Sequence, residues 1–355
     1  MTTNHKYYLN LAFQIANKNL GKTKLNPSVG SVVVKNKSVI SSGVTSINGR
    51  PHSEFNALKG KNNYSGADLY TTLEPCTHYG LTPPCVNIIV KKKIKNVYYG
   101  CEDPDQRTFK KAKTFLRKKK INSIFLKKKK FLNFYSSYLI NKKLKIPYIS
   151  AKIAVSKDYY SISKRSRWIT NKHSIRITHL LRSRNDCIFS TSKSINLDNS
   201  LLNCRIDGLN FYKPDLFIID LNLKLKKNLS LNRIIKKRKT YLITSNLKKN
   251  KVSFFKKKGF KKIFIKSLKT KIDFITLFHK IFHLGYTRAF FETGLTFLNT
   301  LLNYKLLNNL YVFQNSNKLK KNGSNNATTK NIRKIKLYNK ITVNLNDDNL
   351  YKIEF

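Results

Sequence analysis

The sequence predicts an α/β protein, because segments with helical periodicity alternate with short apolar runs that are typical of buried strands. At 355 residues the chain is long enough for two domains, each with a sizeable core. The alternation breaks at the Lys-rich residues 142–145 and Pro147. We therefore expect a three-layer α/β domain over residues 1–145 and a second α/β domain over residues 146–355.

The first domain opens with a helix over residues 5–19, where Tyr8, Ala12 and Ile15 recur on one face. Apolar runs bounded by polar or turn residues then predict strands, and segments with helical spacing follow them. The predicted elements are strands at 29–34 and 38–44, a helix opening at His52, a strand at 67–72, a helix at 84–92, a strand at 97–101 and a helix at 108–119.

The second domain begins with a predicted strand at about 148–155. It contains no GxGxxG or P-loop, so its function does not follow from a nucleotide-binding fingerprint. Further strands are predicted at 186–190, 216–220, 239–245, 261–265 and 288–292.

Composition narrows the class of protein. No apolar stretch approaches the roughly 20 residues that cross a bilayer, and MTTNHKYYLN lacks a signal-peptide core, so we expect a cytoplasmic protein that does not enter a membrane. The five cysteines are odd in number and widely spread, which indicates a reducing compartment. Of these, Cys101, Cys187 and Cys204 lie in apolar or strand-like surroundings typical of core packing.

The formal net charge of +54 would suit a nucleic-acid partner. However, the excess is mostly Lys in short scattered runs, accompanied by abundant Asn, Ile, Phe and Tyr, which have A- and T-rich codons. Mutational bias in the genome explains this charge, and solvated faces are the ordinary location of such runs. We therefore expect no specific nucleic-acid partner.

One group of residues carries the chemistry. His52, Cys76 and Cys85 supply the three protein ligands of a catalytic zinc ion, which leaves a fourth position for water. Glu54 follows His52 by two positions and is left for proton transfer. The sequence therefore predicts a hydrolytic zinc site.

Zinc deaminases of cytosine and adenine carry HxE followed by PCxxC, with the Glu as general acid and base. Here the insert THYGLTPP separates Cys76 from Cys85 and must form a loop. Pro83 and Pro84 suit the entry to a helix, and a thiolate at a helix start is favoured by the helix dipole.

The interrupted signature, HSE with EPCTHYGLTPPC, resembles the deaminase half of the bifunctional riboflavin-biosynthesis deaminase/reductase family. The resemblance extends to NPSVG at 26–30 and to Asp103-Pro104. It implies a cytidine-deaminase-like α/β/α zinc domain in which Asn26 contacts the substrate. Leu81 stands where that family has a basic residue that helps to hold the substrate phosphate.

The second half is similar to the reductase half of the same family, which has a dihydrofolate-reductase-like fold and uses NADPH. The similar segments are PYISAKIAVSKD at 147–158, SRWIT at 166–170 and DCIFSTSKSINLDNSLLNCR at 186–205. Tyr159, Thr293 and Leu295 depart from the family pattern, the first two where it has glycine. Loss of glycine near a diphosphate restricts the approach of the backbone.

The resemblance implies a role for each matched residue. Lys152 and Glu292 become candidates for work at the reacting sugar carbon, and two arginines suit a sugar phosphate because guanidinium groups bind phosphate bidentately. Ser166, Arg182, Leu202, Arg205 and Glu292 are the substrate-binding candidates, and Ala154, Trp168, Ser194, Asp198 and Gly294 are the NADPH-binding candidates.

The implied reactions are hydrolytic deamination of a diaminopyrimidinone that carries a ribosylamino 5-phosphate, then reduction of its ribosyl group to ribityl by NADPH. Zn²⁺ and NADPH are the expected cofactors, a small-molecule pyrimidine the expected substrate, and a homo-oligomer the expected assembly. A working deaminase joined to a degenerate reductase half is one alternative.

Two other interpretations stay open. A zinc deaminase of tRNA would share His52, Glu54 and the two cysteines, although the Cys76–Cys85 loop and the second domain argue against it. A basic binding protein with structural zinc would need a fourth ligand such as His78. His279 and His283 are spaced for one helical face but have no adjacent Glu, so surface or core positions suit them better than a second metal site.

Overall fold

The computed structural model of this chain describes residues 3–209, 214–245 and 249–355. It divides into two compact units, Met1–Ile146 (the N-terminal unit) and Pro147–Phe355 (the C-terminal unit). Within the described ranges, no helix combines the length and the apolar character needed to span a bilayer.

The N-terminal unit is built on a five-stranded sheet of order β2-β1-β3-β4-β5, in which β1 runs antiparallel to β2 and β3 and the last three strands are parallel. Its elements are α1 (Thr3–Asn17), β1 (Gly30–Lys35), β2 (Ser38–Val44), α2 (Ser53–Leu58), β3 (Asp68–Thr71), α3 (Cys85–Lys91), β4 (Asn96–Tyr99), α4 (Lys111–Lys118), β5 (Asn122–Phe125) and α5 (Lys129–Leu144).

Hydrophobic cores lie on both faces of this sheet, because successive residues of a strand point to opposite sides. Val32 and Val34 of β1 pack in one core with residues of α1 and α5. Val33 packs in the other core with residues of α2, α3 and α4. The expected α/β/α arrangement is confirmed.

The C-terminal unit contains an eight-stranded sheet of order β11-β10-β9-β8-β12-β6-β13-β15, parallel throughout except for β15, which runs antiparallel to β13. Its elements are β6 (Tyr148–Val155), β7 (Ile162–Ser163), α6 (Lys172–Ser183), β8 (Cys187–Thr191), α7 (Ser192–Asp198), β9 (Asp215–Ile219), β10 (Thr240–Thr244), α8 (Lys249–Lys257), β11 (Phe260–Phe264), α9 (Lys271–His283), β12 (Arg288–Phe291), α10 (Leu295–Asn303), β13 (Asn309–Asn315), β14 (Gly323–Ser324), α11 (Lys330–Arg333) and β15 (Asp348–Glu354).

An aromatic row crosses four adjacent strands of this sheet. The rings of Phe291, Phe189, Phe217 and Tyr241 stack in succession, with neighbouring centroids 4.4–4.8 Å apart. Such cross-strand pairs add to the stability that burial of the rings provides. This row fixes β12, β8, β9 and β10 side by side. Among the candidate site residues, Glu292 and Gly294 follow β12, and Ser194 and Asp198 lie in α7, which follows β8.

The predicted elements are confirmed to within a few residues of their ends. Strands β5, β7, β13, β14 and β15 and helix α5 were not anticipated, and no bounds were predicted for helices α6 to α11. Residues 142–145, which we expected to form a junction, include the last turn of α5. Lysines at both ends of α5 give this segment the composition of a linker, and only its contacts with the sheet make it a helix with a buried face.

Candidate functional sites

The three predicted metal ligands come from separate elements of the N-terminal unit. His52 is the residue immediately before α2, so it lies outside the helix that we expected it to open. Cys76 lies in the loop after β3, and Cys85 is the first residue of α3, where Pro84 provides the entry. Residues 77–84 form the loop between the two cysteines, as the spacing predicted.

These side chains converge within the described part of the chain as one His/Cys/Cys group, with candidate ligand atoms all within 4.8 Å of one another. The Nδ1 atom of His52 lies 3.4 Å from Cys85 Sγ and 3.7 Å from Cys76 Sγ. Tetrahedral zinc with bond lengths of about 2.0–2.3 Å places neighbouring ligands roughly 3.5–3.8 Å apart. The donor set and its spacing therefore fit a zinc ion.

The electrostatics of this group favour a thiolate. Hydrogen bonding from the Cys85 thiol, with further help from His52, lowers the pKa of Cys76 to about 4. The backbone N–H of Cys85 also donates to Cys76 Sγ at 3.2 Å. Hydrogen bonding to Cys76 in turn raises the pKa of His52, against the opposing effect of burial. A thiolate is the form of cysteine that binds metals.

Glu54 lies in the first turn of α2 and is only 4% exposed. The hydroxyl of Ser53 donates to Glu54 Oε2 at 3.0 Å. Burial is the main cause that raises the pKa of Glu54 above its ordinary value. A buried carboxyl with a raised pKa accepts a proton more readily than an ordinary carboxyl and can return it, as a general acid and base must do.

A cavity of about 100 Å³ is lined by His52 and Cys76 of the metal group together with Glu54 and Asn26. Asn26 Nδ2 donates to the carbonyl of Gly49 at 2.8 Å, which fixes its side chain at the cavity wall. Leu81 does not line this cavity and is 86% exposed. The other lining residues are Pro27, Val29, Thr45, Arg50, Leu73, Glu74, His78, Gly80, Thr82, Asp103, Asp105, Arg107, Tyr138 and Lys142.

Sequence reasoning missed several of these lining residues. Arg50 directly precedes Pro51-His52, so its position beside the motif was a usable signal. Lys142 comes from the last turn of α5, a helix that we did not predict. No local pattern connects it with the zinc motif.

The C-terminal unit contains a buried ion pair between two predicted site residues. Arg182 of α6 donates from Nε to Glu292 Oε1 at 2.5 Å and from Nη2 to Oε2 at 2.9 Å. Its Nη1 donates to the carbonyl of Asn203 at 2.8 Å. The side chains of Arg182 and Glu292 are 10% and 7% exposed.

Lys152 lies in β6, beside β12, and is half-buried. Burial lowers the pKa of Lys152, and the charges of Glu292 and Arg182 act on it in opposite directions. Lys152, Arg182 and Glu292 therefore form one interacting group. An ammonium group with a lowered pKa releases its proton more readily than an ordinary lysine.

The segment that carries Leu202 and Arg205 is held by a buried arginine that the sequence did not single out. Arg238 donates to the carbonyls of Leu202, Leu201 and Pro214. Leu202 has φ of 49°, a left-handed conformation that side chains disfavour. Arg205 Nη1 donates to Asn203 Oδ1 at 2.6 Å, so Arg205 and Arg182 both contact Asn203.

Two of the predicted NADPH-binding residues meet at the start of α10. Gly294 is the residue before this helix, and a side-chain Cβ built there would lie 3.7 Å from Ser194 Oγ. Asp198 ends α7, and burial raises its pKa. Ala154 is half-buried in β6.

Ser166 and Trp168 lie on an exposed segment. Ser166 Oγ donates to the carbonyl of Trp168 at 2.7 Å. The indole of Trp168 is 55% exposed and lies under the Arg167 guanidinium, 5.1 Å from the ring centroid. A core role for this tryptophan is thereby excluded.

The departures from the glycine pattern have different structural consequences. Tyr159 has φ of 66°, so a side chain occupies a conformation that favours glycine. Its ring lies 5.3 Å from the Arg333 guanidinium, and its carbonyl accepts from Asn325 Nδ2 at 3.1 Å. Thr293 precedes Gly294, and Leu295 is buried as the first residue of α10.

Family models match both halves of the chain. Residues 2–101 match the cytidine and deoxycytidylate deaminase zinc-binding region, and residues 147–326 match the RibD C-terminal domain.

Two curated relatives are riboflavin biosynthesis proteins RibD. The one from Bacillus amyloliquefaciens is 33% identical over 205 residues, which are 57% of this chain and 55% of the relative, so the match spans about half the length of that protein. The one from Actinobacillus pleuropneumoniae is 28% identical over 313 residues, 86% of this chain and 82% of the relative.

The fold is also that of solved RibD structures. One form of Acinetobacter baumannii RibD superposes with a TM-score of 0.83 at 24% identity, covering 99% of this chain and 98% of that one. A deaminase/reductase from Thermotoga maritima superposes with a TM-score of 0.81 at 20% identity, covering 99% and 98%. At these identities the likeness shows the fold.

Proposed function

Because the chain belongs to the RibD family, we propose that it catalyses two successive reactions of riboflavin biosynthesis. In the first, residues 1–145 remove an amino group hydrolytically from 2,5-diamino-6-(5-phosphoribosylamino)pyrimidin-4(3H)-one. In the second, residues 146–355 reduce the ribosyl group with NADPH to give 5-amino-6-(5-phosphoribitylamino)uracil.

The observation that carries the first activity is the convergence of His52, Cys76 and Cys85 at a cavity that His52, Cys76 and Glu54 line. His52, Cys76 and Cys85 would hold a zinc ion, which would make water reactive as a nucleophile near neutral pH. Glu54, buried and with a raised pKa, takes two protons from the attacking water in turn and gives the first to the ring nitrogen and the second to the departing amino group. Asn26 orients the pyrimidine ring at the cavity wall.

The second activity is assigned to the residues around the Arg182–Glu292 pair. When bound, NADPH supplies the hydride for the sugar carbon C1. Lys152 has the lowered pKa that suits proton donation to the opening ring oxygen. Arg205, with Arg182 and the backbone of Leu202, provides cationic and hydrogen-bonding groups for the sugar phosphate.

The residues proposed to hold NADPH come from several separate segments of the C-terminal unit. Ser194 and Gly294 lie together at the start of a nine-residue helix, where backbone N–H groups suit a phosphate. Trp168 presents an exposed face on which a ring can stack. Ala154 and Asp198 complete the proposed set.

The experiment follows ammonia release and NADPH oxidation separately on the purified protein with the diaminopyrimidinone ribosylamino phosphate. We expect both signals, in that order. The Glu54→Gln variant should keep its zinc, and its rate of ammonia release should fall by a factor of about 10³ or more. General acid–base catalysis typically contributes roughly 10²–10⁴-fold to a rate. Glu102→Gln, a change of the same kind outside the cavity lining, serves as control.

The outcomes separate the alternatives. Ammonia without NADPH oxidation would mean that the second half is inactive, as Tyr159 and Thr293 would allow. If neither ammonia release nor NADPH oxidation is observed, the proposal is overturned and a nucleic-acid substrate is favoured.

The proposal also includes the setting of the enzyme. As the family resemblance implies, we place it in the cytoplasm as a homo-oligomer that acts on a small molecule. Sedimentation velocity at micromolar concentration measures the assembly, and a monomer throughout would contradict this part.

A further inference from the structure

We propose that Arg50, Arg107 and Lys142 form an anion-binding edge of the deaminase cavity and hold the substrate phosphate in this chain. The inference rests on the proposed function for the identity of the anion. The three residues come from the segment before α2, the segment between β4 and α4, and the end of α5, and all line the same cavity.

Asp105 organises two of these cations. Arg107 donates from Nε to Asp105 Oδ1 at 3.0 Å and from Nη2 to Oδ2 at 2.7 Å, and Lys142 Nζ lies 2.7 Å from the same Oδ2. Two positive charges thus meet one carboxylate, which leaves the group with a net positive charge. Asp105 fixes both side chains in place before any ligand arrives, and such preorganisation lowers the cost of binding.

Arg107 nevertheless has room to bind a ligand. Its side chain is 58% exposed, whereas that of Asp105 is 10% exposed. The guanidinium reaches Asp105 through Nε and Nη2, and no hydrogen bond from Nη1 is found in the described ranges. A guanidinium can bind a carboxylate on one edge and a phosphate on another.

Arg50 supplies an independent observation. Its Nε is buried and has no hydrogen-bond partner among residues 3–209, 214–245 and 249–355. A buried donor without a partner costs free energy, so such groups in native proteins call for an explanation. An anion in the adjoining cavity would satisfy it.

The carboxylates of the cavity do not cancel these cations. Glu74 accepts from the backbone N–H groups of Asp103, Lys110 and Ala112. Asp103 accepts from the backbone N–H of Asp105 and from Tyr138 Oη, and burial raises its pKa to about 7, so it carries less negative charge at neutral pH than an ordinary carboxyl. The edge of the cavity is therefore more positive than its composition suggests.

Arg50, Arg107 and Lys142 supply positive charge that position 81 of the Cys76–Cys85 loop does not. Leu81 is apolar and 86% exposed, so this position of the loop offers no cation to a phosphate. Two guanidinium groups and an ammonium group from other elements supply that charge instead. Phosphate monoesters are dianions that bind such groups through charge-assisted hydrogen bonds.

The test compares deamination of the phosphorylated substrate with that of the same compound lacking its phosphate. For Arg107→Gln, Lys142→Met and Arg50→Gln we expect the ratio of kcat/KM for the two substrates to fall by about 10-fold or more, since hydrogen bonds to charged groups contribute on that order. Arg117→Gln and Lys143→Met remove exposed cations from α4 and α5 outside the cavity and should leave the ratio unchanged. Zinc content is measured for every variant.

The inference would be overturned if the cavity variants kept the wild-type ratio of kcat/KM for the two substrates, whether both values fell equally or neither fell. If the wild-type protein deaminates neither compound, the proposed function fails and the anion site is judged by inorganic phosphate binding in ³¹P NMR titrations. The Arg107→Gln/Lys142→Met variant should then bind less phosphate than the Arg117→Gln/Lys143→Met control, and equal binding would overturn the inference.

Discussion

Arg182 and Glu292 are 110 positions apart in the chain, yet their side chains form a bidentate ion pair with N–O distances of 2.5 and 2.9 Å. Burial acts to raise the pKa of Glu292, but the charge and hydrogen bonds of Arg182 outweigh it and hold that pKa below its ordinary value. The family resemblance implies substrate binding for Arg182, and both substrate binding and catalysis for Glu292. The pairing means that neither can be changed without altering the other.

The first prediction concerns this pair. Arg182→Met leaves a buried carboxylate without its cation and should destabilise the C-terminal unit by about 3–5 kcal/mol, whereas Arg182→Met/Glu292→Met removes both charges and should cost less. Hydrogen exchange of amides in α6 and β12 measures the free energy of opening. A double variant as unstable as the single one would show that the pair contributes through other contacts.

The second prediction concerns metal retention. Cys85→Ser replaces a thiolate ligand with a hydroxyl that stays protonated at neutral pH, so the protein should lose most of its zinc during dialysis against a weak chelator. Cys101 is also buried but lies outside the metal group, so Cys101→Ser should retain its zinc. Elemental analysis of both variants decides the matter, and equal zinc content would contradict the assignment.

The third prediction is a pH dependence of stability. Burial raises the pKa of Asp103 to about 7, so the folded state holds a proton that the unfolded state releases near pH 4. The contribution of Asp103 to the free energy of unfolding is fully present below pH 4 and is lost as the pH rises through 7. Asp103→Asn keeps the acceptor used by Asp105 N–H and Tyr138 Oη. Between pH 5 and pH 8, the free energy of unfolding of this variant should rise relative to that of the wild type by about 2 kcal/mol.

Alkylation of the buried Cys101 in urea, located by mass spectrometry, reports the unfolding of the N-terminal unit at each pH. The exposed Asp207 lies in the other unit, and Asp207→Asn is the control for loss of one carboxylate. A constant difference between wild type and Asp103→Asn across this range would contradict the prediction.

The fourth prediction tests the left-handed conformation of Tyr159. Tyr159→Ala and Tyr159→Gly both remove the ring that contacts Arg333, but only glycine also removes Cβ. At φ of 66° the glycine variant should therefore be more stable than the alanine variant, by about 1 kcal/mol. Their melting temperatures give the comparison, and an alanine variant that melts at the same or a higher temperature would argue against strain.

Much of the fold follows from local pattern. The strands β1, β3 and β4 are apolar runs of four to six residues between turn signals, and such runs have few alternatives to a buried strand. The helix α5 was missed because its ends are Lys-rich and its sequence has no clear apolar stripe. Its identity depends on packing against the sheet through Phe131 and Tyr135.

The sequence by itself determined the chemistry of the zinc ligands. His52, Glu54, Cys76 and Cys85 are near one another in the chain, and the ligand preferences of zinc limit what such a set can do. Residue types and their order were enough for that inference, although α2 and β3 lie between His52 and Cys76 and bring the side chains together.

The tertiary structure decided which distant residues share those sites. Lys142 reaches the cavity of His52 only because α5 packs on the sheet, and Arg182 reaches Glu292 only because α6 and β12 are brought together in the folded unit. The physical reason is that proximity between residues far apart in the chain comes from packing and from pairing of strands, which no local pattern encodes.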